Sequence, residues 1–183
     1  MRNVVLDLLV FFLLTGLVGC RTIGIETLTA TTNNTNTESI VQPVFRSILP
    51  ELQQKTEIPI LLPEYIPETD NPLLVGLIEK SSSFEYRVML AFSEICNGGT
   101  ACRLGSVSGV LLQSDKQTLE GTEVTLANNI TAYFADATCG ANCSDSTLAW
   151  IDGNVIYQVA IGAGKLETLL DMANSMMEVS DRD

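Results

Sequence analysis

From Phe84 to Ser93 apolar and polar residues alternate, so that Phe84, Tyr86, Val88, Leu90 and Phe92 share one side and Glu85, Arg87, Met89, Ala91 and Ser93 the other. A period of two predicts a β-strand with one face on a core. Leu73 to Glu79 precedes it as a pairing partner, with Lys80 to Ser83 as the turn. Val107 to Leu112, Glu123 to Ala127 and Ile130 to Ala135 read as shorter strands. Asn128 and Asn129 tolerate the positive φ of a tight hairpin and would join the last two. The strongest hairpin runs from Ser146 to Ile161 around Asp152, Gly153 and Asn154. A turn at Asp152 and Gly153 sets Trp150 opposite Val155, whereas one at Gly153 and Asn154 sets it opposite Tyr157. Either register puts Leu148, Trp150, Val155, Tyr157, Val159 and Ile161 on one face, which must then be core.

Helical spacing marks both ends of this β-rich stretch. Between Lys165 and Glu178, Leu166, Leu169, Leu170, Ala173, Met176 and Met177 recur at three- and four-residue steps and predict a helix docked on the sheet. Ile40, Val41, Val44, Phe45, Ile48, Leu49 and Leu52 do the same near the start. Pro43 suits a first helical turn, and Pro50 would split this helix or end it near Leu49. The following IPILLPEYIP carries Pro59, Pro63 and Pro67, which exclude a helix interior and favour an extended edge segment or polyproline turns. The expected fold is α+β, an antiparallel β-sheet with a packed C-terminal helix and an N-terminal helix.

Residues 1–19 have a different character. Arg2 precedes an apolar run from Leu8 to Val18 that would span roughly 16 Å as a helix. A hydrocarbon core needs about 30 Å, so the run reads as a secretion signal and not as a permanent membrane helix. Asp7 and a single basic side chain depart from the usual signal pattern. Residues 21–39, RTIGIETLTATTNNTNTES, hold too few large apolar side chains to offset the entropy of ordering them. They read as a flexible tether with a root-mean-square reach of about 25 Å. With 183 residues in all, residues 40–183 are left as one globular domain.

Composition narrows the chemistry. Ten Lys and Arg against 22 Asp and Glu give a net charge of −12, which argues against nucleic acid as a partner. The chain has no histidine, which removes Ser-His-Asp and Cys-His nucleophiles, HExxH zinc sites and a neutral-pH switch. The IGAGK at 161–165 lacks the upstream glycine of a phosphate loop and has Leu166 where Ser or Thr would hold magnesium. No Ser is followed three residues later by Lys, and no acidic run alternates as in a calcium loop. Glu120 and Glu123 could serve as an acid and base pair, but solvated surface charge is the simpler account. Asn33, Asn129 and Asn142 begin N-x-Ser/Thr triplets that matter only in a eukaryotic secretory path. No catalytic, cofactor-binding or metal-binding residue is assigned.

Beyond Cys20, Cys96 and Cys102 flank one loop sequence, and Cys139 and Cys143 another. An even number of cysteines in an exported chain points to disulfides, of which local pairing is the simplest of three connectivities. A four-thiolate zinc site is the competing reading, although the spacings are looser than CxxC knuckles and export disfavours free thiolates.

Leu17, Val18, Gly19 and Cys20 resemble the bacterial lipoprotein lipobox. That resemblance implies cleavage between Gly19 and Cys20, lipidation of Cys20 with palmitate among its acyl chains, and residence in the cell envelope. Arg21, in place of an aspartate after the cysteine, implies the periplasmic or surface face of the outer membrane if the cell is Gram-negative. Trp150, Gly153 and Tyr157 followed by Leu166, Glu167, Ala173 and Ser175 resemble the last hairpin and helix of RseB-like and sporulation-associated envelope lipoprotein domains. Some of these regulate anti-sigma factors. The segment Thr56, Ile58, Pro59, Leu62, Pro63 with two short cysteine loops is similar to uncharacterised cyanobacterial-type secreted lipoproteins. No catalytic residue is implied by either. The expected role is a non-enzymatic binding or structural domain for an envelope protein, glycan or lipid ligand. The alternatives are a regulatory sensor acting on a membrane partner and a hydrolase using carboxylates alone.

Overall fold

The computed structural model describes residues 41–71, 73–113, 118–140 and 143–180, all within the unit Thr37–Asp183. Seven strands form one sheet: β1 Val75–Ser82, β2 Glu85–Ala91, β3 Arg103–Leu111, β4 Thr122–Thr125, β5 Thr131–Ala135, β6 Asp145–Asp152 and β7 Val155–Gly162. Their order is β1-β2-β3-β7-β6-β5-β4, and every neighbouring pair is antiparallel. The sheet is two meanders, β1 to β3 and β4 to β7, joined where β3 pairs with β7.

The strongest hairpin settles on the register that sets Trp150 opposite Tyr157. Gly153 takes φ 58° at the first central position of the turn, where a type II′ hairpin requires glycine. Asn128 and Asn129 adopt φ 59° and 58° between β4 and β5, as their residue type anticipates. The β1 to β2 turn differs from the sequence expectation. Strand β1 continues through Ser82, so the turn falls on Ser83 and Phe84. Phe84 therefore leaves the strand face and is 49% exposed.

The expected N-terminal helix is split at Ser47 and Ile48, just before Pro50. α1 is Pro43–Arg46 and α2 is Leu49–Lys55, each with a proline in its first turn, where the missing N–H costs no hydrogen bond. α3, Leu166–Ser180, closes the described chain. α1 and α2 contact β1, while α3 contacts β6 and β7. The buried cluster under them joins Phe45 and Leu52 to Val88, Leu90, Val107, Leu148, Val159, Leu169, Met172 and Met176. Met172 belongs to this cluster although the expected stripe omitted it.

The proline-rich segment is not an edge strand. It takes no regular secondary structure and crosses the helix-covered side of the sheet between α2 and α3. Tyrosines anchor it. Leu61 N–H donates to Tyr86 Oη at 3.0 Å, and Tyr86 Oη donates to the Leu61 carbonyl at 2.8 Å. Tyr157 Oη donates to the Pro59 carbonyl at 3.0 Å, and Tyr65 N–H donates to Ser175 Oγ at 3.1 Å. These bonds satisfy backbone groups that no ladder supplies. Burial pushes the Tyr86 phenol far above its ordinary range, against a smaller opposing effect of its bond to Leu61. Burial, then the Asp152 carboxylate, pushes Tyr157 up to about 12. The two rings flank Gly109 in one line of register, Tyr86, Gly109, Tyr157, Trp150. A Cβ on Gly109 would lie 2.6 Å from Tyr86 Cε1, so glycine makes room for the aromatic row.

Candidate functional site

Because the strands alternate in direction, the loops 92–102 and 136–144 and the end of β7 gather at one end of the sheet. Cys96–Cys102 and Cys139–Cys143 close the two loops, with Cα separations of 5.6 and 4.1 Å. This is the local pairing, and it consumes the four thiols on which the zinc alternative depended. Each short loop contributes about 2 kcal/mol by restricting the unfolded chain.

Hydrogen bonds stiffen both loops further. In the first, the Ser93 carbonyl accepts from Cys96 N–H at 3.2 Å and Ser93 Oγ accepts from Ile95 N–H at 3.2 Å. Ile95 is left 91% exposed. In the second, Thr138 N–H donates to Ser144 Oγ and Ser144 N–H to the Thr138 carbonyl, both at 2.9 Å. Buried Ser146 Oγ accepts from Ala137 N–H at 3.1 Å and donates to Asp136 Oδ1 at 3.3 Å.

Arg103 binds the two loops to each other. Its Nε donates to the Gly98 carbonyl at 3.2 Å, inside the first disulfide loop. Its Nη1 and Nη2 donate to Asp145 Oδ2 and Oδ1 at 2.5 and 3.1 Å, just past the second. The side chains are 18% and 13% exposed, and the planar fork against a carboxylate is the strong form of such a pair. Arg103 opens β3 and Asp145 opens β6, so their bond spans the end of β7, where Asp145 pairs with Gly162.

A cleft of about 350 Å3 lies over this clamp, lined among others by Phe92, Arg103, Leu104, Ser144, Asp145 and Ala163. That volume falls at the lower end of small-molecule sites. Ala163 adopts φ 50°, a left-handed conformation uncommon for alanine. Chemically the cleft offers an aromatic ring, hydroxyls and a salt bridge whose two members already satisfy each other. It is suited to holding a neutral polar group against Phe92.

Sequence reasoning located the four cysteines and missed Arg103 and Asp145, which are 42 positions apart. The only local signal is a charge next to Cys102 and another two residues after Cys143. Glu120 and Glu123 are exposed, just before and within the outermost strand β4, three strands across the sheet from β7. Lys165 follows Gly164 and the left-handed Ala163 and precedes α3. Gly19, Cys20 and the tether lie outside the described residues, as does Asn142. Among the described residues no helix is long and apolar enough to cross a membrane, and no group of three or more acidic or cysteine side chains is placed to hold a metal. No protein-family model matches the chain, and no curated protein or solved structure does.

Proposed function

We propose that the protein is an exported envelope lipoprotein, anchored by acyl chains on Cys20, whose α+β domain binds an envelope ligand without chemically changing it. The observation that carries this reading is the pair of closed disulfide loops, because such bonds form and persist in oxidising compartments. The lipobox-like Leu17, Val18, Gly19 and Cys20 supply the matching route of export and attachment. With a net charge of −12, the chain is repelled by anionic head groups, so membrane residence falls to the lipid anchor. The anchor is expected to incorporate several acyl chains, each worth about 0.8 kcal/mol per buried CH2. The clamped cleft and the face of the sheet that is helix-free among the described residues are candidate surfaces for binding.

Metabolic labelling with an alkyne analogue of palmitate in a bacterial host tests the anchor. Wild-type protein should carry the label and sediment with membranes, and Cys20→Ala should lose the label and appear in the soluble fraction. Label retained on Cys20→Ala, or absent from the wild type, overturns the lipoprotein reading.

A further inference from the structure

We infer that the helix-free face of the sheet carries a binding site for a small organic anion with an apolar body, with Arg87 as its charge contact. This rests on the reading of the domain as a binding module and names the class of ligand. A cavity of about 210 Å3 opens on that face. Arg87 pairs across the sheet with Ser108, and Ser108 with Gln158, so three polar side chains from β2, β3 and β7 stand on one line of register and line the cavity. Side chains directly opposite in this way lie roughly 5 Å apart at Cβ, close enough to converge on one group. One step along the same face, Val110 pairs with Ile156, and Leu119 reaches the cavity from the segment before β4. A polar line beside an apolar line is the pattern that an amphiphile fits.

Charge selects the sign of the ligand. Glu85 also lines the cavity, but Lys80 Nζ holds its carboxylate at 2.7 Å. Arg103 and Lys55 likewise have carboxylate partners, and Arg46 donates to the Val41 carbonyl. The Arg87 guanidinium has no ion pair or hydrogen bond among the described residues, in a protein with 22 acidic side chains. A cation would meet the Arg87 guanidinium, and a wholly apolar ligand would cover Arg87, Ser108 and Gln158 without giving them partners. A carboxylate accepts from all three while its apolar body rests on Ile156, Val110 and Leu119. The acidic remainder of the surface is screened beyond about 10 Å at ordinary ionic strength, so the local cation governs the contact.

Titration of the full chain with hexanoate, hexanol and hexylammonium, followed by NMR shifts of the β3 and β7 amides, tests the site. Hexanoate should bind saturably, hexanol at least about tenfold more weakly, and hexylammonium not at all. Arg87→Gln should lower hexanoate affinity at least about tenfold and leave hexanol unchanged. Ala149→Leu, which fills the cavity, should abolish binding of both. No saturable hexanoate binding, equal affinity for hexanoate and hexanol, or hexanoate binding unaffected by Arg87→Gln would each overturn the proposal. Cys20→Ala should leave hexanoate binding intact, which separates failure of this site from failure of the anchor.

Discussion

Adjacent residues of one strand live in different surroundings on the two faces of this sheet. On β3, Val107 and Gly109 face the helices while Ser106 and Ser108 face away; on β7, Tyr157 and Val159 face the helices while Gln158 and Ala160 do not. The covered face is filled by Trp150, Tyr86, Leu90, Leu148 and the methionines of α3. The other face mixes small, polar and apolar side chains, and its buried members Met89, Ala149, Ile156 and Ala160 stand outside the core cluster. A face that only had to stay soluble could carry long charged side chains at every outward position. Here the middle strands instead carry Ser106, Ser108, Ala149 and Ala160 on this face, with Arg87 opposite Ser108. The contrast separates a face packed under helices from one that the described helices leave uncovered.

The largest expected effect breaks the covered face. Trp150 is fully buried, stacks on Tyr157 with ring centroids 5.8 Å apart, and its indole N–H has no partner among the described residues. Its contribution is therefore packing, and Trp150→Ala should destabilise the fold by about 3–5 kcal/mol. A denaturant midpoint shift at unchanged slope would measure it. A loss below about 1 kcal/mol would mean that this face is not the core.

Next in size is the anchoring of the proline-rich segment. Tyr86→Phe strips both bonds from Leu61 and leaves its N–H and carbonyl buried without partners, a cost of about 1–3 kcal/mol at neutral pH. The gap should narrow with rising pH. Burial raises the Tyr86 phenol above its ordinary value of 10.0, so above that pH the unfolded chain releases a proton that the folded chain keeps. Stability of the wild type contributed by this group is complete below pH 10 and falls as the pH climbs towards the folded value. The Phe variant lacks that loss. Denaturant titrations at neutral pH and above pH 10 should show the two proteins converging; a constant gap would exclude the buried hydroxyl as its source.

Particular residues show why some of this was legible in the sequence and some was not. Trp150, Tyr157 and their neighbours declare a core face because alternation survives any register, yet the register itself waited on Gly153, whose positive φ selects the turn. The disulfide loops were readable because each pair is local. The first half of β3 was not, since Arg103, Gly105 and Ser106 have neither strand propensity nor alternation and are held in place by neighbours on both sides. The Arg103 to Asp145 clamp and the line Arg87, Ser108, Gln158 exist only because of strand order. The pairing of β3 with β7 is long-range, and no local pattern states it.

The smallest effect sharpens the comparison most, because it is read from neighbouring residues. At Gly109 an added methyl meets the Tyr86 ring at 2.6 Å and the Tyr157 ring at 3.2 Å, so Gly109→Ala must displace one of two hydrogen-bonded aromatics, costing about 1–3 kcal/mol. At Ser108, one residue away and on the opposite face, Ser108→Ala removes a hydroxyl that has no hydrogen bond among the described residues. That change should move stability by no more than about 0.5 kcal/mol. Thermal or denaturant unfolding of the two single variants gives the answer directly. Equal losses would mean that both faces are packed to the same degree and would remove the reason for treating the helix-free face as a surface kept for a ligand. A loss confined to Gly109→Ala would show that Ser108 is dispensable to the fold and that the two faces are packed differently.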